Sequence, residues 1–419
     1  MSMSRRAQRH AVIVDPYSSG ALLGPAFRAQ GLIPVAVTTT RIPAQVYINS
    51  WMPSAYDVVF VHDTSVEQLV AQLRALDPVC VIAGTESGVE LADTLAAALT
   101  PDLANVPALG LARRHKGRMG DAIAAAGLPH IRQLCSSDAA AVSAWIERER
   151  LHDRALVLKP PKSAGTDGVI KIAAGQDWHP AFDALLGQQN KLGLTNDEIL
   201  VQEFASGDEY VIDTFSQHGI HTVTDICRYR KVVNADHIAV YDSMEFLPYD
   251  APVHGVLIEY TFKVLDALGI RFGPGHSEVM LTADGPRLIE TGARMHGGGH
   301  PEFCRLATGS SQLDRIIAFY TGTGATSTDF TLLRKVLVAF LIARADGVVR
   351  NAEVFDAATQ LTSHYKSVIG VKNGDQVAQT SDLFTALGFI VLAHEQPEQV
   401  FADYHVVKDL ERAIVIDRV

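Results

Sequence analysis

Two short apolar strands around an Ala-Asp-Gly-Pro turn, each carrying a carboxylate, make Ser277 to Arg294 (SEVMLTADGPRLIETGAR) the most constraining stretch of the chain. A loop over Thr282 to Pro286 sets Leu281 against Arg287, and the same register sets Glu278 against Glu290. Directly opposed strand residues hold their Cβ atoms roughly 4.5–5.5 Å apart, so two unscreened carboxylates there repel unless a cation sits between them. A hard divalent cation with oxygen ligands is the natural neutraliser. An even-length loop would throw the two acids onto opposite faces, because strand side chains alternate.

The chain of 419 residues exceeds one ordinary core and predicts two to four domains. Hydrophobic residues at 47% and charged residues at 20% predict a packed globular protein rather than a disordered one. The net charge of -11 comes without any block of Lys and Arg, which argues against nucleic acid or an anionic membrane as partner. Cys80, Cys135, Cys227 and Cys304 lie far apart with no C-x-x-C pair, so neither a zinc site nor a disulfide framework is indicated. The run Ala11 to Val14 is too short for a signal segment, and Val336 to Ala343 is far short of a membrane span. These features predict a soluble, cytoplasmic protein.

Short apolar runs at His10–Val14, Leu32–Thr38, Val58–Val61 and Val79–Ala83, separated by helical segments, predict a parallel sheet. The turn DPYSSGALLG (Asp15 to Gly24) fits neither G-x-G-x-x-G nor the Walker pattern, leaving a structural strand-to-helix turn or a substrate contact. The alternation breaks near Pro101 to Pro107, and Ala108 to Ala126 reads as helical. Ala155 to Ile172 reads as a hairpin flap, Ile199 to Phe215 as two strands broken at Ala205 to Asp208, and Val256 to Leu268 as a helix. After Gly322 the pattern predicts a distinct α+β or β-rich cap.

Lys159 closes a strand immediately before the loop Pro160 to Gly168, whose Ser163, Gly165, Thr166 and Gly168 let backbone N–H groups approach phosphate oxygens. Lys116 precedes it, and Val201-Gln202-Glu203-Phe204 leads to Gly207-Asp208-Glu209 after it. This ordered set resembles the ATP-grasp superfamily over roughly Lys116 to His300. The resemblance implies an α/β and α+β multidomain protein: an ATP-grasp fold with an N-terminal Rossmann-like parallel-sheet domain (1–107), an ATP-grasp domain (108–325, lid about 130–204) and a small C-terminal lobe (326–419).

The resemblance further implies phosphate-directed Lys116 and Lys159, with Ser163, Gly165 and Thr166 covering ATP. It implies Glu203 with the backbone of Phe204 and Ala205 at the adenine, and Glu209 at the ribose. Glu278 and Glu290 match the carboxylates for Mg²⁺, with Mn²⁺ as an alternative, and Arg294 matches the catalytic arginine near the γ-phosphate. Many members read Glu-x-Asn-x-Arg, the Asn being a further metal ligand, whereas here Gly292 stands in that place. Glu-x-Gly-Ala-Arg followed by glycines is most similar to L-amino-acid ligases that build dipeptides. The implied reaction makes an acyl phosphate and ADP from ATP and an amino acid or small carboxylic acid. An amino-acid amine then captures the acyl group in secondary metabolism such as antibiotic biosynthesis. A homodimer is the family's tendency. Alternatives are a ligase that loads a carrier or modifies a nucleotide precursor, and a nucleotide-binding regulatory protein without turnover.

Substrate contacts are expected among His276, the cluster Arg228 and Lys231, and Gly298 of the run Gly297-Gly298-Gly299. Each has a structural alternative: a core histidine, a charged edge strand, and a flexible turn. His296 and His300 flank the glycines, and with no third soft ligand expected nearby zinc is disfavoured.

Overall fold

The computed structural model describes residues 9–234, 237–324 and 330–418, so the expected boundary at 325/326 lies outside the described residues. The N-terminal strands His10–Val14, Ile33–Thr38, Val58–Val61 and Pro78–Ala83 pair in parallel, with His10–Val14 between Ile33–Thr38 and Pro78–Ala83. Their near-continuous apolar runs follow from burial on both faces. Ala11 and Ile13 enter one core while Val12 and Val14 enter another. The turn after the first strand is held by Asp15, which accepts from the Thr39 N–H (2.7 Å), the Thr39 hydroxyl (2.6 Å) and the Ser87 hydroxyl (2.5 Å). One buried carboxylate thereby ties together the strand ends from which open α/β sheets present ligand sites.

Four antiparallel strands form a second sheet, in the order Gln133–Ser136, Ile199–Glu203, Leu156–Lys159, Ile170–Ile172. The last two are the expected flap hairpin, with Leu156 opposite Ile172. Helices Ala139–Glu149 and His179–Leu185 supply Trp145, Ile146, Phe182 and Leu185 to a core beneath this sheet.

An antiparallel sheet of eight strands forms the centre, running from Gly285–Gly292 through Gly273–Thr282, Asp208–Gln217, Ile220–Asn234 and His237–Leu247 to Lys335–Leu341, Gly388–His394 and His364–Ile369. One expectation changes here. Arg228 does not lie on an edge, because it pairs with Tyr210 on one side and Glu245 on the other, whereas Lys231 pairs only with Tyr241. The C-terminal segment joins this sheet, since Lys335–Leu341 pairs with His237–Leu247. Helices Lys116–Ala125 and His254–Ala267 close one core of this sheet through Met119, Ile123, Leu257 and Val264.

Candidate active site

The acidic hairpin reaches the expected pairing by a different route. Thr282 pairs with Gly285, so Ala283 and Asp284 alone form the turn, and Gly285 takes the positive φ (97°) that a residue with a Cβ would resist. That even turn would put the acids on opposite faces. A β-bulge restores them: Val279 pairs with Leu288 but Glu278 pairs with Glu290, leaving Ile289 as the extra residue. Ile289 and Glu290, neighbours in sequence, consequently both line the same cavity.

Lys116 is the first residue of its helix, whose N-cap is the ring of His115 accepting from the Arg118 N–H. Its Nζ donates to the Ser163 carbonyl (2.8 Å) and stands 2.9 Å from Glu290 Oε2. Lys159, at the end of its strand, is 5% exposed. Burial, with Lys116 nearby, lowers its pKa to about 8. Burial opposes ionisation of Glu290, but Lys116, Lys159 and Arg294 outweigh it and hold the carboxyl at about 2. Glu209, buried beside Lys231 Nζ at 2.7 Å, is pushed upward by desolvation.

Lys116, Lys159, Ser163, Gly165, Thr166, Glu203, Phe204, Ala205, Glu209, Glu278 and Glu290 line one cavity. Lys231 joins them there, while Arg228 pairs with Glu245 (2.9 Å) and meets Lys231 only in an adjoining pocket lined by both. Ile131, Val157, Val169, Ile238, Tyr241, Met280 and Ile289 give the cavity its apolar wall. Those residues looked like ordinary core in sequence, since nothing local distinguishes a buried wall from a pocket wall. The Glu203 carboxylate accepts from Arg132 Nε (2.9 Å), which lowers its pKa, and the Phe204 N–H is bonded to the Ala155 carbonyl. The flap is held from the C-terminal side: Leu383 N–H donates to the Gly165 carbonyl (3.2 Å), and Lys191 pairs with Asp382.

His276 and Gly298 lie outside that cavity. The glycine run and the Asp15–Gly24 turn, both open in the sequence, meet each other: Gly298 N–H donates to Ser18 Oγ and Gly299 N–H to Ser19 Oγ, each at 3.0 Å. His276 points its Nδ1 at Asp213 (2.8 Å) and its Nε2 toward Glu278 (3.6 Å). Although burial disfavours the charge, Asp213 raises His276 to about 9. His296 and His300 stack behind it, with ring centroids 4.0 Å and then 3.8 Å apart. Asp213 accepts from His296 Nδ1, and Asp225 lies 2.8 Å from His300 Nε2. Cys304, one helical turn beyond His300, approaches Asp225 at 3.1 Å, so a third soft ligand does stand near the histidines, contrary to expectation.

Arg294 bonds to Glu86 Oε2 through Nε (2.9 Å) instead of pairing with Glu290. Glu86 was missed in the sequence. Its signal was a carboxylate just beyond the strand Pro78–Ala83, where parallel sheets place ligand-facing residues.

A lysine-bearing flap, an antiparallel core sheet and an opposed acid pair thus face one cavity. A model of the ATP-grasp domain matches residues 153–301, and the chain belongs to the ATP-grasp family of ATP-dependent ligases that form carbon–nitrogen bonds. Dapdiamide A synthase of Enterobacter agglomerans is 31% identical over 414 residues, covering 96% of this chain and 95% of that one. The L-amino acid ligase from Bacillus licheniformis superposes with a TM-score of 0.73 at 17% identity, over 99% of this chain and 100% of that one. A carboxyaminoimidazole ribonucleotide synthase from Aspergillus clavatus, complexed with ATP, gives 0.69 at 13% identity over 97% and 99%. At such identities the two structures show the shared fold. Among the described residues no helix is long and apolar enough to cross a membrane.

Proposed function

We propose that the chain uses ATP to activate the carboxylate of an amino acid, or of a small carboxylic acid, and transfers it to the amine of an amino acid. The observation that carries this is the opposed pair Glu278 and Glu290 in a cavity shared with Lys116, Lys159 and Lys231. The chain's similarity to a dapdiamide synthase and to an L-amino acid ligase supports substrates of this class, and the same reading makes the product dipeptide-like and assigns it to antibiotic biosynthesis.

In this reading the adenine rests on the apolar wall of Met280 and Ile289 beside Phe204 and Ala205, and Glu209 meets the ribose. The phosphates lie under the flap residues Ser163, Gly165 and Thr166, against Lys116 and Lys159. The acid pair fits a divalent cation, being in register, buried at Glu278 and half-buried at Glu290, and ionised at Glu290 with its pKa held at about 2. Mg²⁺, or Mn²⁺, bound by Glu278 and Glu290 would screen the β- and γ-phosphates. A substrate carboxylate oxygen attacks the γ-phosphorus and ADP leaves, with Arg294 facing the transferred group. The amine then attacks the acyl carbon, phosphate leaves, and the nitrogen gives up a proton to form the amide. Positioning and charge neutralisation suffice for such transfer, so no side-chain nucleophile is required.

The same reading takes 1–107 as the N-terminal domain, 108–325 as the ATP-grasp domain and 326–419 as the C-terminal lobe. It places the protein in the cytoplasm, consistent with four unpaired cysteines, and makes it a homodimer. The test is a screen of ADP release over amino-acid pairs with Mg²⁺, followed by mass measurement. Release that requires a pair, with a product mass equal to both minus water, supports the proposal. Release that instead requires a carrier thiol would overturn it, as would ATP binding without turnover across the screen.

A further inference from the structure

Gly292 carries no side chain, and the structure shows what uses the space beside it. Glu86, from the turn after the last parallel strand and 7% exposed, reaches across from the N-terminal sheet. A Cβ placed on Gly292 would lie 3.0 Å from Glu86 Oε2 and 3.1 Å from both Cζ and Nε of Arg294. The Glu86–Arg294 bond therefore passes directly over the bare face of residue 292, and a methyl group there would push both partners by a few tenths of an ångström. Arg114 leans on the other oxygen of the same carboxylate: its Nη1 is 3.5 Å from Glu86 Oε1 and has no hydrogen-bond acceptor, while its Nη2 donates to the Lys162 carbonyl.

We infer that Glu86 is a positioning residue that uses the space left open at Gly292 to fix the guanidinium of Arg294 toward the transferred phosphoryl group. The glycine and the carboxylate form one device, in which the first leaves room and the second fills it. The N-terminal sheet thereby contributes to phosphoryl transfer without touching the nucleotide, and the arginine is oriented only when the two units are docked. A carboxylate suits this task better than an amide because two buried guanidinium groups converge on it, and charge-assisted hydrogen bonds are roughly twice as strong as neutral ones.

This inference rests on the proposed function only in placing Arg294 near the γ-phosphate. Its test compares Glu86→Gln, Glu86→Ala and Gly292→Ala with the native protein in binding MgADP and MgADP with aluminium fluoride, a mimic of the phosphoryl group in flight. Each substitution is expected to leave MgADP affinity within about twofold and to weaken the fluoroaluminate complex about tenfold, the loss of one charge-assisted contact. Gly292→Ala approaches the same contact from the opposite side, and Glu86→Gln keeps the side-chain shape, so a misfolded Glu86→Ala does not decide the matter. The Mg²⁺ concentration for half-maximal binding is expected to stay unchanged. Equal fluoroaluminate affinity in the native protein and all folded variants would overturn the inference. So would a shifted Mg²⁺ requirement, which would make Glu86 a cation ligand. Failure of the native protein to release ADP with any amino-acid pair would sink the ligase reading while leaving this comparison intact.

Discussion

Lys159 shows how burial prepares a residue for its ligand. Its ammonium is desolvated and near Lys116, and its pKa falls to about 8. In the proposed complex the phosphates restore the charged form, so nucleotide favours the protonated lysine. Below pH 8 the free protein already carries that proton; above it, binding must first take one up. By pH 9 only about a tenth of the free protein is charged there, so MgATP affinity should fall about tenfold between pH 7 and pH 9. Lys159→Met should bind weakly at both values and lose most of that dependence, as calorimetric titration would show; an unchanged slope in the variant would assign the dependence elsewhere. At this scale the sequence was a good guide to residue type and a poor one to partners. Lys116 and Lys159 could be picked out because each opens or closes an element near a glycine, and Glu278 and Glu290 because the hairpin register opposes them. That Lys231 reaches the lysine-lined cavity and Arg228 does not was not legible, because a bulge between Arg230 and Lys231 breaks the alternation there.

The acidic hairpin carries the same lesson for an element. Its two carboxylates were legible as an opposed pair, yet the reasoning placed the odd residue in the turn, whereas the chain keeps a tight turn and spends the extra residue at Ile289. Turn length and bulge are interchangeable ways of setting parity, and the apolar pair Leu288-Ile289 leaves no sequence mark of which is used. Deleting Ile289 should let the strands pair without interruption and keep Glu290 opposite Glu278, because Glu290 then takes the place in the register that Ile289 held. The expected outcome is a folded protein, with unfolding temperature shifted by only several degrees, that keeps Mg²⁺-dependent nucleotide binding. Lost binding in the folded variant, measured by the same titration, would show that register alone does not set the acid pair. The flap was read correctly as a hairpin. Its anchoring by Leu383, Asp382 and Lys191 was invisible, because those partners lie on a distant part of the chain.

At the scale of the molecule, the cavity and its rim draw on every unit. Helix and flap supply Lys116 and Lys159, the central sheet supplies Glu209, Lys231, Glu278, Glu290 and Arg294, and the N-terminal sheet supplies Glu86. Three lysines and one arginine are thus matched by four glutamates, which lets so many buried charges coexist without nucleotide. ATP carries four negative charges and two divalent cations cancel them, so the complete ligand enters without upsetting that balance. The fold class was legible because parallel and antiparallel regions have different hydrophobic periods. The joining of the C-terminal strands to the central sheet was not, since strand pairing between distant segments leaves no local trace. The most direct test of the account is Mn²⁺ binding, followed by electron paramagnetic resonance, in the presence of a non-hydrolysable ATP analogue. The account predicts cation bound with nucleotide in the native protein, and binding weakened at least tenfold in both Glu278→Gln and Glu290→Gln, each still folded. Undiminished Mn²⁺ binding in either variant would contradict it.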